Sequence, residues 1–357
     1  MVMADRDDVT TTSVPIAGIT MLGLAQNLTN GLLRVPFRNP AHGPSGPLQN
    51  VGATVTRQVL RSFMGYSTAL PIEEFRSMEL FLDRLCKVVL PPWVRLRNGV
   101  DREPGTVAEV PGIWLRPHGI EPRATILYLH GGGYIGTSPE MYAAWVGSLA
   151  QGTRCEVFVV DYRLAPEFPY PAGLEDALEV HEALRRRADG GVLIVAGDSG
   201  GGGLATSLVE ALADADRPGP DGLVLLSPEV DLDLDDPSVT ENASADILPW
   251  NIPVSPYLRG VDPADGRVSA VHAEVETYPP TFVASGGREM FRDAIGRLVD
   301  RMEAAGLDVE ALEEPGMFHV FPILMPWASA SRRVVAAIDD FVDRQVVLAA
   351  ERLRVDG

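Results

Sequence analysis

The chain has 357 residues, 46% of them hydrophobic, and a formal net charge of −19. This is ample for a large core, and the acidic balance argues against nucleic acid and anionic membrane as the main partner. The two cysteines, Cys86 and Cys155, are too few for a disulfide framework. A reduced cytoplasmic setting is the simpler interpretation, although the sequence leaves their pairing open.

The N-terminus contains no predicted secretory signal or membrane span. Its first eight residues are acidic, whereas a signal peptide begins with basic residues. Residues 14–24 are apolar but too few to cross a bilayer. We therefore predict a cytoplasmic protein without stable membrane insertion, and we leave a homodimer open.

Residues 9–50 mix an apolar segment with turn-forming residues, and residues 53–90 are more clearly helical. Five apolar residues fit one face of a first helix loosely: Ile16, Ile19, Leu24, Leu28 and Leu32. Turn-forming residues then predict a loop at Pro36, Pro40, Gly43, Pro44, Gly46 and Pro47. Residues 53–90 show helical spacing, and Pro91 with Pro92 is expected to end that run.

Strands and helices alternate from residue 107 onward. One or two strands are predicted in residues 107–115, and further strands at 124–130, 156–161, 192–196, 222–226, 281–284 and 309–312. Helices are predicted at 142–150, 174–187, 204–213, 294–305 and 332–348. Residues 231–278 show little periodicity. This alternation predicts a mostly parallel sheet covered by helices on both faces.

Residues 197–201 read Gly-Asp-Ser-Gly-Gly and lie between a predicted strand and a predicted helix. That order is the context of a nucleophile elbow, in which Ser199 projects from a tight turn. Gly197 and Gly201 flank it because side chains there would collide across the turn. The alternative is a glycine-rich loop that only permits close packing.

An activated serine needs a base, and the base needs an acid to orient it. Of the six histidines, His319 lies in a loop between the last short strand and the final helix, after the serine. The acid is expected after strand 281–284, where Glu289 is the first carboxylate and Asp293 is the alternative. Either could instead cap a helix.

A second glycine-rich stretch, residues 130–134, reads His-Gly-Gly-Gly-Tyr at the end of a buried strand. Consecutive glycines let backbone N–H groups approach a tetrahedral oxyanion. A phosphate loop is the alternative, but the stretch lacks both the GxGxxG spacing and a Walker lysine.

Taken together, these motifs resemble the hormone-sensitive-lipase-like group of α/β-hydrolase esterases. The matching stretches, in the order of that family, are residues 130–134, 161–172, 197–201, 227–231, 257–262, 268–269, 289–293 and 319–321. The resemblance implies an α/β-hydrolase fold with a helical cap and no metal or cofactor.

The same resemblance implies roles for individual residues. Ser199 would be the nucleophile, Glu289 the acid and His319 the base, with an oxyanion hole formed by Gly132, Gly133 and Gly200. His130 and a pair formed by Arg163 and Glu167 would order the surrounding loops. The family more often has Asp at the position of Glu289 and Ala at that of Gly200.

The family pattern divides the chain into a cap and a catalytic domain. The cap would comprise residues 1–95 and 232–276, and the catalytic domain residues 96–231 and 277–357. Residues 14–35 are expected to help shape the substrate pocket.

The expected function is a serine carboxylesterase that cleaves small to medium acyl esters through an acyl-enzyme, with a small-molecule ester as its partner. Alternatives are cleavage of lactone, amide or carbamate bonds by the same triad. A non-catalytic ligand-binding member, like the plant gibberellin receptors, is disfavoured because those have lost the base.

Overall fold

The computed structural model describes residues 9–35, 47–188, 191–249 and 254–356. Its centre is a single eight-stranded sheet in the order β1-β2-β4-β3-β5-β6-β7-β8. The strands are β1 Val100–Val107, β2 Val110–Pro117, β3 Thr125–Leu129, β4 Glu156–Val160, β5 Leu193–Asp198, β6 Gly222–Leu226, β7 Thr281–Gly286 and β8 Val309–Glu314.

Six of these strands run parallel, as predicted. The hairpin β1–β2 is antiparallel, and β2 also pairs antiparallel with β4. From β4 to β8 every neighbouring pair is parallel. The carboxyl ends of parallel strands meet at one edge of a sheet, so the loops after β3, β5, β7 and β8 gather there.

Helices cover both faces of the sheet. One face holds α4 (Pro139–Thr153) and α11 (Ser329–Asp356), which contact each other. The other holds α5 (Ala172–Ala188), α6 (Gly200–Asp214) and α9 (Arg292–Ala304). Strand side chains such as Leu127, Tyr128, Phe158 and Phe282 are buried between these layers. This confirms the predicted α/β architecture.

The start of α6 differs from the sequence-based prediction, which began this helix at Leu204. The helix begins at Gly200, directly after the candidate nucleophile. Its glycines are needed for packing: a Cβ on Gly201 would lie 2.1 Å from the carbonyl oxygen of Leu129, and one on Gly203 would lie 2.4 Å from that of Glu229. Glycine's low helix propensity is therefore overridden by tertiary packing.

Three helices precede the sheet: α1 (Val14–Arg34), α2 (Pro47–Ser67) and α3 (Ile72–Trp93). A π-helical turn, Val94–Asn98, continues α3. The prediction that Pro91 and Pro92 end the helix was wrong: both lie inside its last turn. Proline lacks the N–H that would bond to a carbonyl one turn earlier. Here this loss falls at the C-terminal end of α3, where it interrupts few helical hydrogen bonds.

The predicted first helix is confirmed as α1. Of the five apolar residues on its predicted face, only Leu24 is buried, whereas Ile16, Ile19 and Leu32 are exposed. The helix packs on α2 and α3 through a narrow face. Pro47 begins α2, and the other residues of the predicted loop, 36–46, lie outside the described residues.

In the segment after β6, the described residues form two short helices, α7 (Pro237–Glu241) and α8 (Ser255–Leu258), with single 3-10 turns beyond them. A further short helix, α10 (Phe321–Leu324), precedes α11. Cys86 and Cys155 are both free thiols. Within the described ranges, no helix combines the length and apolar character that a membrane span requires.

Candidate active site

Ser199 occupies a strained turn between β5 and α6. Its backbone has φ 51° and ψ −128°, a conformation that side-chain-bearing residues rarely adopt. Its N–H donates to Leu226 at 3.0 Å, and its carbonyl accepts from the N–H groups of Gly203 and Glu229. A Cβ on Gly197 would lie 2.3 Å from the carbonyl oxygen of Gly201, so glycine is required there. The surrounding hydrogen bonds thus hold the turn that presents the hydroxyl.

His319 comes from the loop after β8 and meets that hydroxyl. Its Nε2 lies 2.9 Å from Ser199 Oγ, and the edge of the Phe291 ring packs against the imidazole. Burial lowers the pKa of His319 below 6.5, although the nearby carboxylates of Asp246 and Asp198 act in the opposite direction. A neutral imidazole at hydrogen-bonding distance is the state that a general base requires.

Glu289 lies on the other side of the imidazole. One of its carboxylate oxygens is 3.4 Å from His319 Nδ1, slightly longer than a hydrogen bond. Burial raises the pKa of Glu289 to about 8, against the opposing effect of the Ser227 hydroxyl. Asp293, the alternative acid, instead accepts the backbone N–H of Ser238 at 2.9 Å.

The two glycine-rich stretches lie side by side. Gly132 and Gly133 have φ values of 121° and 58°, which favour glycine. A Cβ on Gly200 would lie 3.1 Å from both the Gly133 Cα and the Tyr134 nitrogen. Gly200 also begins α6, so its N–H belongs to the first turn, whose amides lack acceptors within the helix. The two glycine-rich loops are therefore close-packed at Gly200.

A buried carboxylate joins these stretches. Asp198 Oδ1 accepts the Gly131 N–H at 3.0 Å and the Tyr128 hydroxyl at 2.9 Å. Its Oδ2 accepts the Tyr142 hydroxyl at 2.8 Å. Burial raises the pKa of Asp198 to about 6, while these hydrogen bonds favour the ionised form. The residue before Ser199 thus fixes the start of the glycine loop.

His130 orders this loop from its first position. Its ring stacks on Tyr162 with a centroid separation of 4.5 Å, and the Tyr162 hydroxyl donates to the His130 carbonyl at 2.6 Å. The Thr137 hydroxyl lies 2.9 Å from its Nδ1. These contacts support a structural role.

The prediction that Arg163 pairs with Glu167 was wrong. Arg163 instead binds Asp176 on α5, at 2.9 and 3.0 Å. Glu167 receives two hydrogen bonds from Arg76 of α3, at 2.9 and 2.6 Å. Arg76 also donates to the carbonyl of Ala165. Both residues do order the loop after β4, but each uses a partner from a different helix.

Asp246, in the aperiodic segment after β6, was not predicted as a site residue. The carboxylate is fully buried. Its Oδ1 accepts the backbone N–H of His319 at 3.0 Å, and its Oδ2 accepts that of Met290 at 2.7 Å. Asp246 therefore binds the loops of both the candidate base and the candidate acid. No motif or spacing in the sequence points to it.

Neighbours of Asp246 reinforce this connection. Asn242 donates from its side chain to the Glu289 carbonyl at 2.9 Å. From α2, Arg61 donates to the Asp246 carbonyl at 2.9 Å, and Arg57 donates to that of Ala245 at 3.3 Å. The segment after β6 is thus fastened to the acid loop on one side and to an N-terminal helix on the other.

Among the described residues, one group has carboxylate and imidazole atoms close enough to hold a metal ion: Asp231, Asp233 and His272. Arg297 already forms an ion pair with Asp231 there. A guanidinium in contact with the Asp231 carboxylate disfavours a cation at that position, because like charges repel. The group does not include any of the candidate catalytic residues.

Residues 126–323 match the α/β-hydrolase fold family. An acetyl-hydrolase of Streptomyces hygroscopicus is 33% identical over 242 residues, which cover 66% of this chain and 81% of that protein. The carboxylesterase NlhH of Mycobacterium tuberculosis is 31% identical over 230 residues, covering 60% of this chain and 72% of that protein.

Solved structures give the same result. The crystal structure of EstE5 soaked with p-nitrophenyl butyrate aligns with a TM-score of 0.73 and 26% identity, covering 85% of this chain and 100% of that chain. A hormone-sensitive lipase from a metagenome library aligns with a TM-score of 0.72 and 29% identity, covering 82% of this chain and 98% of that one.

Proposed function

The chain belongs to the hormone-sensitive-lipase-like family of α/β-hydrolase esterases, and from that membership we propose that it hydrolyses carboxylic esters with Ser199, His319 and Glu289. It is a serine carboxylesterase, whose substrates are small-molecule esters. The observation that carries the residue assignment is the 2.9 Å approach of His319 Nε2 to the hydroxyl of a serine held at positive φ.

In the first half of the reaction, His319 Nε2 takes the proton from Ser199 Oγ while Oγ attacks the ester carbonyl carbon. The carbonyl oxygen becomes an oxyanion, and the proposed donors to it are the backbone N–H groups of Gly132, Gly133 and Gly200. The carbon–oxygen bond to the alcohol then breaks. The proton on Nε2 passes to the departing alkoxide, which leaves the acyl group on Ser199.

In the second half, a water molecule gives a proton to His319 and attacks the acyl carbon. The tetrahedral intermediate collapses, the proton returns to Ser199 Oγ, and the carboxylic acid leaves. Glu289 stabilises the imidazolium that forms in each half. Opposite charges about 3–4 Å apart in a buried site attract strongly, so formation of the imidazolium favours ionisation of Glu289 despite the cost of its burial.

We also propose that residues 1–95 and 232–276 form the cap that covers this site. Support comes from α3, whose Phe75 ring would lie 2.7 Å from a Cβ on Gly136, just beyond the glycine loop. Further support comes from the bonds of Arg57 and Arg61 to the segment after β6. Substrate preference would then depend on α2 and on the face of α3 that carries Phe75, more than on the exposed α1.

Replacement of Ser199 by Ala tests the assignment. We expect ester hydrolysis to fall by about 10³-fold or more with the fold intact, because the nucleophile is lost. A panel of p-nitrophenyl esters from acetate to palmitate gives the rate and the acyl-chain preference, and circular dichroism checks folding. A phosphonate probe followed by peptide mass mapping should label Ser199. Labelling of another residue, or near-normal turnover of Ser199→Ala, would contradict the proposal.

A further inference from the structure

The outer face of α3 and of the π-helical turn after it presents a continuous apolar stripe to solvent. Its members recur at positions 81, 85, 88, 89 and 96, the spacing of one helical face over several turns. Val88 is 75% exposed and Leu96 is 87% exposed. We call this surface the α3 stripe, and it comprises Phe81, Leu85, Val88, Val89 and Leu96, all of them exposed.

Basic side chains flank the stripe. Arg84, Lys87, Arg95 and Arg97 are all exposed, and no acidic residue occurs between residues 84 and 100. The preceding acid, Asp83, is buried and forms an ion pair with Lys87 at 2.8 Å, and the next acid, Asp101, lies 3.9 Å from Arg95. The chain as a whole has a net charge of −19, so a local excess of positive charge around exposed apolar residues is a distinct feature of this surface.

We propose that the α3 stripe docks reversibly on an anionic lipid surface. A helix lying in a lipid interface buries an apolar face at the acyl boundary and places basic side chains among the headgroups. Arg and Lys suit this arrangement because their aliphatic stems pack on apolar surface while their charged ends reach the phosphates. Electrostatic attraction to the headgroups would orient an otherwise acidic protein with α3 towards the lipid.

A second copy of the chain fits this face less well. In a two-fold dimer the same patch meets itself, so the arginines and the lysine of one stripe would lie against those of the other. Repulsion between like charges in a partly desolvated contact opposes such pairing. A surface of lipid phosphates supplies the negative charge that a second stripe lacks.

The test is flotation of the full chain with vesicles of phosphatidylcholine, with and without about one third phosphatidylglycerol. We expect binding to the anionic vesicles that weakens as salt is added, because salt screens the attraction. Arg84→Gln and Arg95→Gln should each weaken binding about fivefold. Val88→Ser and Leu96→Ser should each weaken it about tenfold, because a buried aliphatic side chain is lost from the interface.

Matched controls come from exposed residues elsewhere. Val347→Ser on α11 and Arg186→Gln on α5 change the same chemistry at a distance from the stripe and should bind like the wild type. All six variants should hydrolyse soluble p-nitrophenyl acetate at the wild-type rate. Because vesicle binding is measured without turnover, failure of the Ser199 assignment would leave this result unaffected.

Three outcomes would overturn the proposal. One is absence of binding to anionic vesicles. Another is binding that ignores vesicle charge or is unchanged in the stripe variants. The third is a wild-type dimer in sedimentation that Val88→Ser or Leu96→Ser converts to monomer, which would assign the face to a second copy of the chain.

Discussion

Asp246 binds the backbone N–H of His319 with Oδ1 at 3.0 Å, although 73 positions separate the two residues. The other oxygen of the same carboxylate binds Met290, next to Glu289. One buried side chain therefore sets the spacing between the loop of the base and the loop of the acid. Its negative charge also lies close enough to His319 to favour the imidazolium.

Replacement of Asp246 by Asn should reduce kcat by about 10- to 100-fold, because one backbone N–H loses its acceptor and the base shifts relative to Ser199. Loss of the negative charge should also lower the pKa of His319, since Asp246 raises it. The acidic limb of the kcat/KM profile then moves to lower pH, while Asp198 and Glu289 still face the imidazole. If the variant is slower but the acidic limb of its kcat/KM profile stays at the wild-type pH, Asp246 has only a structural role.

Glu289→Gln should lose far more activity than Asp293→Asn. Gln cannot stabilise the imidazolium by charge, and comparable changes in serine hydrolases cost up to about 10⁴-fold in kcat. Asp293 binds the N–H of Ser238 instead, so its replacement should mainly affect stability. Kinetics on p-nitrophenyl acetate and thermal melts of both variants separate these effects. A larger kcat loss in Asp293→Asn would reverse the assignment.

Stability should fall as pH rises from about 6.5 to about 8. Burial raises the pKa of Glu229 and of Glu289 to about 8, so the native state holds protons that the unfolded chain has released. Each group then costs about 1–2 kcal/mol of unfolding free energy across this window. Burial lowers the pKa values of His181 and His319, so these two histidines affect stability only below about pH 6.5, where the unfolded chain binds protons that the native state does not.

Denaturant melts at several pH values measure this slope. Glu229→Gln should flatten it, because the amide releases no proton, and should leave the Ser199–His319 pair in place. A wild-type stability that is constant or rises between these pH values would contradict the prediction.

Arg76→Met should destabilise the protein by about 3–5 kcal/mol, because it removes the cation that pairs with the buried carboxylate of Glu79 and the half-buried carboxylate of Glu167. Arg76 is buried and binds both Glu79 and Glu167. The exposed pair of Arg267 and Asp265 offers a matched control, and Arg267→Met should change stability little. Thermal melts of the two variants test this. Equal, small losses would show that the cap does not depend on Arg76.

The sequence was most informative where backbone geometry restricts the choice of residue. Glycines around Ser199 and after β3 are required by close approach and positive φ, so their spacing predicted both loops. Chain order then led to His319 and Glu289. The geometry brings both to Ser199, and their catalytic roles remain proposals.

Partners of long side chains could not be predicted in the same way. The partner of Glu167 lies 91 positions earlier on α3, and that of Arg163 lies 13 positions later on α5. Which residues form such pairs depends on how the helices pack against the loop, and the sequence spacing does not show this. The exposure of α1 escaped prediction for a similar reason, because periodicity indicates an apolar face without showing whether another element covers it.

The bond from Arg61 to Asp246 spans 185 positions, and it has a consequence for folding kinetics. Contacts of such separation form late, because the intervening chain must first be ordered. The base loop depends on Asp246, and the segment that contains Asp246 depends on α2, which lies far earlier in the chain. On refolding from denaturant, we expect helical signal to return well before esterase activity, with the lag set by docking of α2 onto this segment.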